Sequence, residues 1–116
     1  MTARITDFLE LVAQLPRVGR SDHGRYVQLE VGSRTFGYLW EATSTVGLRQ
    51  TLSEQLALVS ERPHVFEVQF TTRQFGWVVV HLDGVDRAEL AELVFEAWRL
   101  TAPVDLVAER GEQLPV

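Results

Sequence analysis

Residues 75–103, FGWVVVHLDGVDRAELAELVFEAWRLTAP, decide the fold. Trp77 to Leu82 is rich in β-branched residues and reads as a strand. Asp83-Gly84 is a turn signal, and Asp86-Arg-Ala-Glu89 is a capping box that opens a helix. Leu90, Leu93, Val94, Ala97 and Trp98 fall on one stripe of that helix, with Glu92, Glu96 and Arg99 pointing outward. Pro103 breaks it, and residues 103–116 are expected to add at most one turn and then fray.

Working back toward the N-terminus, Phe8, Leu11, Val12 and Leu15 recur at helical spacing, which predicts a helix over Ala3 to Leu15 stopped by Pro16. Residues 16–24, PRVGRSDHG, read as a polar loop. Tyr26 to Val31 alternates, and Gly32-Ser33 fits a two-residue primed turn. That turn pairs Leu29 with Phe36, and it places Val27, Leu29, Val31, Phe36, Tyr38 and Trp40 on one face. A strand over Thr45 to Gln50 leads into a second capping box, Thr51-Leu-Ser-Glu54, and a helix burying Leu52, Leu56 and Val59. Pro63 ends that helix, and Val65 to Phe70 is a strand with Phe66, Val68 and Phe70 inward. The expected order is αβββαββα. It corresponds to one two-layer α+β domain over residues 1–116, with a mainly antiparallel sheet of about five strands.

Composition narrows the function. The apolar fraction of 46% is that of a globular chain, and no apolar run approaches membrane-span length. The first residues lack the apolar core of a signal peptide, so the simplest compartment is a bacterial cytoplasm. The absence of cysteine excludes disulfides, zinc–thiolate sites and thiol nucleophiles. All 11 basic residues are arginine, against 16 acids. Residues 1–60 are charge-neutral, whereas residues 61–116 carry −5. Any affinity for a polyanion must therefore come from the N-terminal half.

The opening helix ending in Leu15-Pro16, the hairpin with Gly32 and Phe36, the step from Leu48 to Glu54, Leu82-Asp83-Gly84, Glu96-Ala97-Trp98 and Ala102-Pro103 occur in an order that resembles the MmcQ/YjbR family. That resemblance implies helices on an antiparallel sheet, described as a double-wing or CyaY-like fold. It also implies DNA binding, and it brings no catalytic residues.

No chemical motif stands out beside it. His23, His64 and His81 lack ligand spacing, and no nucleophile elbow or phosphate loop occurs. No cofactor, metal or catalytic residue is expected, and the domain is read as a non-enzymatic monomer. Candidate contacts to a nucleic acid or other ligand are Arg25, Arg34, Arg49, Arg73 and Trp77, with Arg17 and Arg20 as further phosphate contacts. The competing expectation is a module that binds a protein or small molecule on the uncovered sheet face.

Overall fold

In a computed structural model of residues 1–116, the N-cap half of each expected capping box opens a helix. The Glu54 side chain bonds Thr51 Oγ1, and that of Glu89 bonds Arg62, instead of returning to the cap backbone. Thr51 Oγ1 accepts from Glu54 N at 3.1 Å at the start of α2 (Leu52–Glu61), and Asp86 Oδ1 accepts from Glu89 N at 2.8 Å at the start of α3 (Arg87–Arg99). The chain begins with α1 (Ile5–Ala13) and then forms β1 (Val18–Asp22), β2 (Val27–Val31), β3 (Arg34–Trp40) and β4 (Thr45–Thr51). After α2 come β5 (Phe66–Thr72), β6 (Phe75–His81), α3 and α4 (Val104–Arg110). The strands form one antiparallel sheet in the order β1-β2-β3-β4-β6-β5. The α+β class stands, with six strands rather than five. No helix is long and apolar enough to cross a membrane.

The sixth strand is β1, which lies where a polar loop is expected. Its sequence, VGRSD, has a single bulky apolar residue, but an edge strand needs only one ladder and little alternation. The tail also differs from expectation. It forms α4, and then Pro115 is buried while Val116 N donates to Gln14 Oε1 at 2.7 Å.

The β2–β3 hairpin departs from its predicted register. Gly32 and Ser33 both adopt positive φ, 57° and 65°, as a primed two-residue turn requires. Beyond the first pairs, however, β3 carries one extra residue. Glu30 faces Thr35, but Leu29 faces Gly37 instead of Phe36. This bulge at Phe36 resets the parity of the strand. Phe36 and Leu39 enter the core beside Leu29, whereas Tyr38 and Trp40 move to the opposite face. A second bulge, at Gln69 in β5, leaves Val68 and Phe70 exposed by 53% and 38%, against the expected inward face.

The core lies between the helices and the face bearing Val46, Leu48, Val78 and Val80. α2 packs on β6 and β5, α3 on β4 and β3, and α1 on α3. In α2 the buried residue is Gln55, not Leu52 or Leu56, which are exposed. Gln55 Nε2 donates to the carbonyls of Trp77 and Phe70, and the helix comes close because β6 has a glycine, Gly76, directly beneath it. Trp98 is fully buried on the predicted α3 stripe.

Arg87 ties α3 to α1 through Asp7 Oδ1 at 2.8 Å and Glu10 Oε1 at 2.6 Å. The Arg87 hydrogen bond, then that from Arg4 N, holds the Asp7 carboxyl below its usual range. The contribution of this carboxylate is therefore present above pH about 4 and is lost as pH falls through the lower folded value. Asp7→Asn should flatten the acid limb of a melting-temperature profile between about pH 4 and 2, whereas an unchanged limb would show that the pair does not couple to folding.

Candidate anion-binding site

Antiparallel pairing brings the start of β3, the end of β4 and the start of β6 to one end of the sheet, because Thr51 faces Phe75 and Gly37 faces Leu48. Three of the candidate arginines arrive there. Arg34 follows the Gly32-Ser33 turn, Arg49 is near the end of β4, and Arg73 sits in the two-residue turn joining β5 to β6. Gln74 in that turn accepts a hydrogen bond from Leu52 N, which fixes the turn beside the start of α2. Arg25 lies at the far end, before β2. A rise of about 3.3 Å per residue puts it roughly 20 Å from the others. Arg20 on the outermost strand and Arg17 just before it lie beside α1, lining a cavity with Leu9 and Val12. The arginines thus do not form the single patch that their positions in the sequence allow.

Arg49 is the unusual member. It faces Trp77 across the β4–β6 ladder and has no β3 partner, since the β3–β4 ladder ends one residue earlier. Only 8% of its surface is exposed, yet no carboxylate pairs with it. Its guanidinium lies 3.8 Å from the centroid of the Phe75 ring, Nη1 donates to Thr101 Oγ1 at 3.2 Å, and Nε is buried with no acceptor. Burial first, and then the charge of Arg34, lower the pKa of Arg49 from its ordinary value. A buried cation with an unfilled donor and a second cation beside it is costly unless an anion completes the set. Phe75 and Thr101 carried no signal in the sequence. Phe75 falls in an expected loop, and Thr101 lies 52 residues from Arg49.

Trp77 is 5% exposed and cannot offer its ring to a base. Phe70 and Tyr38 lie against it, at centroid distances of 5.0 and 5.5 Å, and Tyr38 stacks on Trp40. This aromatic strip covers the sheet face opposite the helices.

Charge is segregated by layer. The sheet-building residues, 16–51 and 64–82, hold six arginines and four acids, whereas the remaining residues hold five arginines and twelve acids. In the helical layer Arg62, Arg87 and Arg99 are paired with Glu89, Asp7 and Glu10, and Glu96. No arginine of the sheet layer is in an ion pair.

An α+β domain with one bare sheet face and a cluster of unpaired arginines at one end of it is therefore the class defined by fold and site. A family model, YjbR, matches residues 13–100, and the chain belongs to that family. The structure is similar to the crystal structure of Deinococcus radiodurans protein DR2400, which carries the family-model domain DUF419. The TM-score is 0.75 at 19% identity, over 85% of this chain and 78% of that one. No curated protein matches the chain.

Proposed function

We propose that this domain is a non-enzymatic DNA-binding module that holds backbone phosphate at the Arg34/Arg49/Arg73 end of the sheet. The observation that carries the proposal is Arg49, a buried guanidinium with no carboxylate partner and with a free Nε donor. A phosphate oxygen would supply that acceptor once the Arg49 guanidinium shifts outward from its pocket, and the exposed Arg34 and Arg73 would neutralise the rest of its charge. Contacts of this kind carry no base sequence, so binding is weak and sequence-tolerant.

The test is a fluorescence-anisotropy titration of labelled DNA, single-stranded and duplex, at several salt concentrations. Three arginines predict a log–log salt slope of about −2 to −3. Arg34→Glu and Arg73→Glu should each weaken every sequence alike, whereas Arg25→Glu, the same charge change at the far end, should have little effect. Equal losses from all three would reduce the effect to net charge. No binding at low salt would remove DNA as the ligand.

The exposed Val68 and Phe70 beside the aromatic strip favour a second reading, a protein partner with an apolar surface docked on the bare sheet face. Under that alternative, Phe70→Ser would abolish partner binding and leave the arginine variants silent.

A further inference from the structure

On the helix-covered face of the sheet, α2 and α3 flank an open cleft of about 480 Å³. α3 lines it with Glu89, Glu92 and Glu96, which the 3.6-residue repeat brings to one helix face, and α2 faces them with Glu54 and Glu61. Arg62 pairs with Glu89, and Arg99 pairs with Glu96. Glu54, Glu61 and Glu92 have no cationic partner. The Glu96 carboxyl is held above its ordinary range, by burial first and then by the charge of Glu54. Negative charge is thus stored in the cleft at a cost.

Beneath these carboxylates lies Gln50, which lines the cavity and has no exposed surface. Its Nε2 donates to the carbonyls of Arg49 at 2.8 Å and Leu93 at 3.0 Å. Both partners are acceptors, so the amide cannot be turned round, and the atom left over must be oxygen. That Oε1 is buried without a hydrogen-bond donor. An orphan acceptor beneath carboxylates without a cationic partner calls for a ligand that is positively charged and rich in N–H groups. No three carboxylate or histidine side chains come together in a metal-ligating group. Leu58, Leu93 and Leu114 supply apolar wall suited to methylene groups.

We infer that the α2–α3 cleft binds an aliphatic ammonium compound, with the glutamates that lack a cationic partner neutralising its charge and Gln50 at the floor accepting an N–H. The cleft lies on the helix-covered face of the sheet and backs onto Arg49, whose carbonyl accepts from Gln50, so its test reads diamine binding with no DNA present.

The probe is 1,4-diaminobutane, titrated into ¹⁵N-labelled protein at constant ionic strength and followed by amide shifts. Saturable changes are expected at the Gln50 side-chain amide and at the backbone of Ala57 and Leu93. Tetramethylammonium, a cation with no N–H, should produce none. Glu54→Gln combined with Glu92→Gln should weaken the diamine by about tenfold or more, since each substitution removes a charged hydrogen-bond acceptor. Glu92 is exposed, so Glu92→Gln alone serves as the folded control should the double variant lose its structure. The inference is overturned if the variants bind as tightly as the parent, if tetramethylammonium or Mg²⁺ matches the diamine, or if the shifts spread evenly over the acidic residues of α4.

Discussion

Trp98→Ala is expected to lower stability by about 3–5 kcal/mol, the range for removing a large aromatic residue from a packed core. Trp98 has no exposed surface and lies against Phe95, with ring centroids 6.1 Å apart. Its indole N–H also donates to the carbonyl of Pro16 at 3.2 Å, which fastens the chain leaving α1 to α3. The variant therefore loses packing and strands a carbonyl at once. Trp98→Phe separates the two effects. It retains most of the ring contact and should cost roughly 1–3 kcal/mol, from a part-buried acceptor losing its donor together with a small cavity. Urea unfolding followed by far-UV circular dichroism would measure both. A loss below about 1 kcal/mol for the alanine variant would be the behaviour of a surface residue.

The second large effect runs in the opposite direction. Arg49→Met should leave the free domain within about 1 kcal/mol of the parent or make it more stable, because exchanging buried charge for apolar volume is often neutral or favourable. Methionine has the reach to keep the contact with Phe75, and Thr101 Oγ1 remains bonded to Ala97 O at 2.9 Å. DNA affinity, by contrast, should fall by about tenfold or more, as for loss of a charge-assisted hydrogen bond to phosphate. A residue held for function at the expense of stability behaves in this way. If Arg49→Met instead costs more than about 2 kcal/mol, the guanidinium is a structural strut, and the anion site loses its main support.

The α3 stripe, the N-caps Thr51 and Asp86 and the primed turn were legible because each depends on residues close in the sequence. Thr51 and Asp86 cap helices wherever those helices pack. The hairpin register was not legible, since alternation is read by parity and one extra residue inverts it. Nothing around Phe36 distinguishes an inserted residue from a paired one before Leu29 and Gly37 meet. The same limit applied to α2. Its apolar residues Leu52 and Leu56 promised a buried side, but the close approach at Gly76 selected Gln55, whose amide satisfies two sheet carbonyls. At the candidate site the residue types were visible and their grouping was not. Arg34, Arg49 and Arg73 converge through ladder pairing, and Thr101 joins them only because α3 ends beside β4.

The two bulged or sparsely patterned strands have a consequence for how the domain behaves among other chains. An open antiparallel sheet has two free edges, and each is a template on which a foreign strand can extend the ladder. Here the outer edges are β1 and β5. β1 is five residues long and presents Arg20 and Asp22 to solvent. β5 is kinked at Gln69 and exposes Glu67. Short length, charge and a kink are the features that discourage edge-to-edge growth. The bare face can thus keep its exposed aromatic and aliphatic residues without the sheet becoming the seed of a fibril.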